Sequence, residues 1–220
     1  MISSLRLQEA LLLLALRDHK GGFRNSAALP GVLAAAILLE LVQVGRIRVE
    51  KVKRSTIVRI IDQRMIGDPL LDQWLNEMRL TRKELPVTHW LTRIGQTRKL
   101  IDRIAERLWH AGLLRREERS FLMFDYQVYV LGYPERKKQL TDHIRRLVLE
   151  HGKADAADSA LVALLSRSGL LAAYLSRREL RLGRIRVKQM VDAQPFGANG
   201  AAALLAIQAS TATTIVAFLR

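Results

Sequence analysis

The sequence of 220 residues contains no cysteine. The absence of thiols excludes a disulfide scaffold, a cysteine nucleophile and any metal site with thiolate ligands. Disulfides persist mainly in oxidising compartments, so a chain without cysteine fits a reducing one.

Motifs of common catalytic and cofactor-binding sites are also missing. No serine stands in a Gly-x-Ser-x-Gly elbow, and the stretch 197–200 lacks the lysine and hydroxyl of a phosphate-binding loop. A helical zinc site needs two histidines four residues apart on one helix, and no such pair occurs among His19, His89, His110, His143 and His151. We therefore predict no metal, no cofactor and no enzymatic activity.

Long apolar runs are scarce. Residues 1–4 lead directly into an amphipathic segment, so we expect no secretory signal. The stretch 197–219 has the length of a membrane span and carries no charge, but it is rich in small residues and is interrupted by asparagine, glutamine, serine and threonine. A helix that is apolar on all sides is expected in a core, so we predict a buried helix here.

Acidic residues are outnumbered, with 21 Asp and Glu against 36 Lys and Arg, and the net charge is +15. Such an excess creates a positive potential whose natural partners are polyanions, either nucleic acid or the anionic face of a membrane. Each basic residue near an anionic leaflet contributes about 1 kcal/mol to binding. The charge alone does not choose between these two partners.

The most informative stretch is 96–131. Its first part predicts an amphipathic helix, because apolar residues recur at helical spacing from Leu100 to Trp109, and Gly112 suits the helix end. After the charged run 115–119, the residues from Phe121 to Leu131 have high strand propensity. We predict a helix, a short strand and a hairpin over 121–131, beside an arginine cluster made of Arg98, Arg103, Arg107, Arg115 and Arg116.

The predicted hairpin contains an unbroken apolar run, Phe121, Leu122, Met123 and Phe124. A surface hairpin normally alternates apolar and polar residues, so we expect both faces of this ribbon to be apolar. Such a ribbon is suited to insertion into a membrane interface, a partner subunit or the core of the chain itself. A strand covered by helices remains an equal alternative.

The periodicity of the rest of the chain predicts a mainly α fold. We expect a single domain over 1–220, a helical bundle with amphipathic helices around a buried core and one or two short β-hairpins, the first at 47–61. The helix predicted over 135–151 places Leu140 and Ile144 inward and Lys137 outward. Asp68 suits the N-cap of the helix that follows Pro69. Glu40 is expected to be a carboxylate with its hydrogen bonds satisfied, either buried or at the edge of its helix, and not a catalytic acid.

Three segments in the same order carry a resemblance to a known family: LRLQEALLLLALRDHKG at 5–21, GDPLLD at 67–72 and GLLRREERSFLMFDYQVYVL at 112–131. The chain resembles the Golgi phosphoprotein 3 family over nearly its whole length. The resemblance implies a mostly helical domain that binds phosphatidylinositol 4-phosphate through a basic pocket beside an apolar hairpin. It further implies self-association through the hairpin, binding of cytosolic tails of membrane enzymes, and a helix at 180–187, where the residues alternate like a strand.

The family's head-group residues carry over only in part. Arg98 matches the first arginine of the pair that opens the central helix, and Ile101 stands at the second. Ala34 stands where the family has an arginine, and the tryptophan position falls at Asn25 or Ser26. We expect Arg24, in the same loop, to replace one missing contact, so the predicted head-group residues are Arg98 and Arg24.

Two other functions compete with this one. A helix followed by a strand and a hairpin also fits a winged helix-turn-helix, with Arg98, Arg103 and Arg107 facing a DNA groove. A scaffold whose basic face binds acidic protein tails is a third possibility. We favour a homo-oligomeric peripheral protein on the cytosolic face of an anionic phospholipid membrane, because a wing that touches phosphate should have a polar tip.

Overall fold

The computed structural model describes residues 5–18, 21–53, 55–121, 124–150 and 152–192. A short 3-10 turn spans Leu170–Ala173. The strands are β1 Ile47–Val52, β2 Ser55–Ile60, β3 Leu114–Phe121 and β4 Phe124–Leu131. The helices, in chain order, are α1 Leu7–Ala15, α2 Leu29–Gln43, α3 Pro69–Thr81, α4 Val87–Gly95, α5 Leu100–His110, α6 Pro134–Leu149, α7 Ala156–Arg167, α8 Arg177–Leu182 and α9 Arg184–Asp192.

The centre of the core is formed by α1 and α2. Every residue of α1 is buried, and α2 is buried from Gly31 to Leu41. The two helices pack against each other, α1 also contacts α5 and α7, and α2 also contacts α4 and α7. A helix that is apolar on nearly all sides must be surrounded, so the composition of α2 explains its place in the fold. The helix α1 is buried together with two polar side chains, Gln8 and Glu9, which its amphipathic pattern does not predict. The predicted mainly α class with short hairpins is confirmed.

The second hairpin differs from its prediction. The strands β3 and β4 pair antiparallel from Leu114 opposite Leu131 to Phe121 opposite Phe124. The charged run 115–119 therefore belongs to β3, and Phe121 pairs with Phe124 as the last pair of the hairpin, so the predicted hairpin over 121–131 is wrong. Charged residues have low strand propensity, so the run 115–119 was not predicted as a strand. A hairpin that projects into water accommodates charged side chains because they stay solvated.

The polar residues of β3 and β4 decide whether this hairpin is a strand pair covered by helices, which was the alternative prediction. Glu117, Glu118, Tyr126 and Gln127 are exposed to solvent. The described part of the hairpin is therefore a projecting ribbon, and it is neither apolar on both faces nor covered by helices. The first hairpin, β1 with β2, agrees with its prediction and packs against α2, α3 and α4.

Several predicted helix ends are present. The carboxylate of Asp68 accepts hydrogen bonds from the Leu70 and Leu71 amides at 3.0 and 3.1 Å, so Asp68 is the N-cap of α3. Gly112 has φ +72° and follows α5. The segment 180–187 is helical, as the family resemblance implied. The helix predicted over 197–219 lies outside the described residues, and none of the described helices combines the length and apolar character needed to span a membrane.

Candidate functional site

A short two-stranded turn at the end of α1 places two arginines side by side. Leu16 and Phe23 form an antiparallel bridge. The Arg17 amide donates to the Gly22 carbonyl at 2.9 Å, and the Arg24 amide donates to the Ala15 carbonyl at 2.7 Å. Alternate residues of such a ribbon point to the same side, so Arg17 and Arg24 lie on the face opposite Leu16 and Phe23.

These two arginines open onto a cavity of about 630 Å³. The amide nitrogen Nδ2 of Asn25 donates to the Ser168 carbonyl at 2.8 Å and joins the arginine turn to the end of α7. Gly169 has φ +73°, a conformation that favours glycine, and lets the chain turn under the cavity. The cavity is lined by Arg17, Asp18, Arg24, Asn25, Gly169, Leu170, Ala172 and Ala173.

The guanidinium of Arg24 is incompletely satisfied. Its Nε atom is buried and has no hydrogen-bond partner among the described residues. A buried N–H without an acceptor is unfavourable, by roughly 1–3 kcal/mol. An anion in the cavity would provide the missing acceptor.

Lys137 lies next to this cavity, and its predicted outward position is wrong. The side chain is buried, and its Nζ donates to the Leu16 carbonyl and to Asp18 Oδ1, each at 2.5 Å. The last carbonyls of a helix lack intrahelical partners, and Lys137 supplies a donor where α1 ends. Burial lowers the pKa of Lys137, although the neighbouring Asp18 carboxylate acts in the opposite direction.

Tyr174 completes the wall behind Lys137. Its hydroxyl donates to the Leu14 carbonyl, and its ring centroid lies 5.8 Å from Lys137 Nζ. Burial is the main cause that raises the pKa of Tyr174 above its ordinary value. The phenol therefore stays neutral, and its ring lies beside the lysine.

The cavity adjoins the base of the β3–β4 hairpin. A Cβ atom built at Gly21 would lie 3.2 Å from Val128 Cβ and 3.3 Å from the Tyr129 carbonyl oxygen, and Gly21 has φ +65°. Both the close approach and the positive φ require glycine. The turn that carries the two arginines is thus packed directly on β4.

The predicted head-group residues Arg24 and Arg98 are not brought into one pocket. Arg98 lies in the turn before α5, is exposed, and has no hydrogen bond or ion pair with another described residue. Both turns nevertheless meet the same end of α2. A Cβ atom at Gly95 would lie 3.4 Å from the Pro30 carbonyl oxygen, and the Asn25 carbonyl accepts the Leu29 amide at 3.0 Å.

The predicted hairpin residues can be placed only by their backbone. Phe121 and Phe124 form the last backbone pair of the hairpin. Leu122 and Met123 lie outside the described residues. The hypothesis of an inserting apolar tip therefore stays a prediction.

The structure does not gather the five predicted arginines into one cluster, and Arg107 and Arg116 bind different partners. Arg107 binds Asp68 at 2.7 Å and Glu9 at 2.8 Å. Arg116 lies 4.1 Å from the Trp109 ring centroid and donates to Glu106 at 2.8 Å. Arg107 is therefore not available to a DNA groove, which the winged-helix hypothesis required.

Charges at the start of α1 form a paired network. Arg6 lies 3.5 Å from both Glu40 and Asp68, and Glu40 also accepts the Leu7 amide. Glu40 is thus a satisfied buried carboxylate, as predicted. Burial raises the pKa of Glu40 despite these bonds. Burial would also raise the pKa of Asp68, but hydrogen bonds from Arg107 and from the α3 backbone outweigh it and lower that pKa.

Sequence reasoning missed Arg17, Asp18 and Lys137. The first two lie in a turn without periodicity, so no pattern could place them. Lys137 was detectable, because positions 137, 140, 144 and 148 fall on one helical stripe whose other members are apolar and buried. Within the described ranges, no group of three or more acidic or histidine side chains is arranged to hold a metal ion.

Comparison of the sequence with known proteins identifies a family. Residues 7–210 match the family described as Golgi phosphoprotein 3 (GPP34). The vacuolar protein sorting-associated protein 74 of Schizosaccharomyces pombe is 30% identical over 197 residues, which cover 80% of this chain and 55% of that protein. The present chain thus spans about half the length of this relative. The extent of the family match shows that the chain belongs to the Golgi phosphoprotein 3 family.

Proposed function

We propose that this chain is a peripheral membrane protein that binds phosphate-bearing head groups of anionic phospholipids in the Arg17–Arg24 cavity. The observation that carries the proposal is an open cavity with two guanidinium groups, one of which has a buried Nε without a partner, next to the base of a projecting hairpin. Membership of the Golgi phosphoprotein 3 family supports the proposal. The protein would act by binding and not by catalysis.

The chemistry of the cavity suits phosphate. Guanidinium groups donate two parallel hydrogen bonds to phosphate oxygens, and such charged bonds are the strong ones. Arg98, exposed near the same end of α2, would add to the basic surface that faces the membrane. Each such residue contributes about 1 kcal/mol at an anionic leaflet.

The tip of the hairpin would provide the apolar half of the attachment. Fully burying one large apolar side chain contributes about 1.5–3 kcal/mol. Two or three inserted residues among Phe121, Leu122, Met123 and Phe124, together with the nearby arginines, would give reversible peripheral binding. The same tip is our proposed site of self-association between copies of the chain.

The further properties implied by the family are proposals for this chain. We propose a single Golgi phosphoprotein 3-like domain over 1–220, located on the cytosolic face of a membrane. Phosphatidylinositol 4-phosphate is the lipid to test first, although three of its four expected contacts are replaced here. Cytosolic tails of membrane enzymes are the proposed protein clients.

The proposal is tested by co-sedimentation with vesicles. Neutral vesicles, vesicles with phosphatidylserine and vesicles with phosphatidylinositol 4-phosphate are compared at low and high salt. We expect binding to both anionic membranes, weakened by salt and lost in Arg24→Ala and Phe124→Asp. A preference for phosphatidylinositol 4-phosphate would extend the family's lipid specificity to this chain.

Arg79→Ala is the matched control, because it removes one exposed arginine from α3 and leaves the cavity intact. It should bind vesicles like the parent. A duplex DNA fragment is titrated in parallel. Tight binding to DNA that falls steeply with salt, without recruitment to any vesicle, would overturn the membrane proposal in favour of nucleic acid.

A further inference from the structure

We propose that Asp18 and Lys137 together set the affinity of the cavity for phosphate esters and its choice between singly and doubly charged ones. This inference rests on the proposed head-group site. The carboxylate of Asp18 would repel the phosphate of the ligand. The ammonium group of Lys137 would reduce this repulsion by offsetting the charge of Asp18. Neither residue would need to touch the ligand.

The wall of the cavity contains the carboxylate of Asp18, although a negative charge is not expected in a site that binds phosphate. Asp18 lines the same cavity as Arg17 and Arg24, and 43% of its side chain is exposed there. Its Oδ1 atom is held by Lys137 at 2.5 Å. The negative charge is therefore part of the wall of the cavity.

Lys137 is fixed from three sides. Its Nζ donates to the Leu16 carbonyl and to Asp18, and it faces the ring of Tyr174. Only 5% of its side chain is exposed, so the ligand cannot reach it from solvent. Lys137 is thus a positioning residue that acts on the ligand through Asp18.

The charges of the cavity follow from these contacts. Arg17 and Arg24 attract an anion, Asp18 repels it, and Lys137 offsets Asp18. Coulomb energy is linear in the charge of the ligand. A phosphate monoester carries close to two charges above a second pKa of about 6, whereas a diester carries one. A repulsion that weakens a diester about threefold therefore weakens a monoester about ninefold.

The substitutions have opposite expected signs. Asp18→Asn keeps the shape of the side chain and removes its charge, so it should tighten a diester about threefold and a monoester about ninefold. Lys137→Met leaves Asp18 without its counter-charge and should weaken both ligands, the monoester more. The double variant Asp18→Asn, Lys137→Met should bind both ligands at least as well as the parent, because the negative charge that repels them is removed.

The experiment measures binding at pH 8 to vesicles that contain phosphatidic acid, a monoester, or phosphatidylglycerol, a diester, at matched surface charge. Soluble glycerol 3-phosphate serves as competitor and distinguishes a free phosphate ester from a lipid surface. Asp142→Asn, which removes an exposed acidic charge outside the cavity, is the matched control and should leave the ratio of the two affinities unchanged.

A purely structural role for the pair predicts a different result. In that case Lys137→Met would weaken both ligands equally, and adding Asp18→Asn would not restore binding. If Lys137→Met does not fold, Asp18→Asn decides alone, since the monoester to diester affinity ratio must rise about threefold. An unchanged ratio overturns this inference and leaves the head-group site standing, whereas parent-like vesicle binding by Arg24→Ala overturns the head-group site itself.

Discussion

The two ends of α1 use charge in opposite ways. At its start, Arg6, Glu9, Glu40, Asp68 and Arg107 bind one another, and all three carboxylates are buried. At its end, the arginines of the cavity face open space, and the Nε atom of Arg24 has no partner. The same residue types thus form a closed network in one place and an open one in the other.

This difference separates a structural cluster from a candidate binding site. Buried charges are tolerated when each one is paired, and removing one partner leaves the other uncompensated. A cluster with unused donors contributes less to the fold but has capacity for a ligand. The comparison therefore predicts that substitutions at the start of α1 change stability, and substitutions at its end change binding.

The largest expected effect is on stability. Arg107→Met removes the ion-pair partner of Glu9 and the nearer of the two arginines that bind Asp68, and it should lower the free energy of unfolding in urea by about 3 kcal/mol. Arg93→Met is the control, because it breaks only the exposed pair with Glu77 and should cost less than about 1 kcal/mol. Vesicle binding by the folded fraction should be unchanged. Equal urea midpoints for Arg107→Met and the parent would contradict the structural role of the network.

The opposite pattern is expected at the cavity. A hydrogen bond to a charged group contributes about 1.5–3 kcal/mol, so Arg24→Ala should weaken vesicle binding about 10- to 150-fold. Its free energy of unfolding should change by less than about 1 kcal/mol, because the guanidinium has an unsatisfied atom in the free protein. A large loss of stability without a loss of binding would remove the distinction between the two ends.

An intermediate case is Arg116, which joins β3 to α5 through the Trp109 ring and Glu106. Cation–π contacts at exposed sites contribute about 0.5–1 kcal/mol. Arg116→Ala should therefore speed amide hydrogen exchange in β3 and β4 by a few fold and leave exchange in α1 and α2 unchanged. Uniformly faster exchange would instead indicate that the hairpin and the core unfold together.

The smallest expected effect is a change in pH dependence. Because the folded pKa of Glu40 is raised, the stability that protonated Glu40 contributes is present below its ordinary value near 4.5 and is lost as pH rises through the folded pKa. Relative to Glu40→Gln, the parent should be more stable at pH 4 than at pH 7. Urea unfolding of both proteins across this range checks the sign, and a constant difference would contradict a raised pKa.

Local patterns predicted much of the fold. The cap at Asp68, the end of α5 at Gly112 and the first hairpin all depend on residues close in sequence. The second hairpin was misplaced because the charged run 115–119 does not read as a strand. The run is identified as a strand by its antiparallel pairing with β4, a contact that composition and side-chain periodicity do not reveal.

Less of the candidate site than of the fold could be predicted from the sequence. Arg24 was identified from its loop, but its neighbours Arg17 and Asp18 occur in a turn without a pattern. Lys137 belongs to α6 and reaches the end of α1 across more than a hundred residues of sequence. The apolar stripe that Lys137 shares with Leu140 and Ile144 could indicate that the lysine is buried, but no local signal shows which helix it caps.

The sequence by itself determined the helical class, the buried character of α2 and of one face of α1, and the excess of positive charge, because each of these follows from composition and periodicity. The tertiary structure decided which charges are paired. Arg107 and Arg24 have the same side chain, yet one meets two carboxylates and the other meets a cavity. The reason is that an ion pair depends on distances between elements, and those distances are fixed only when the helices pack.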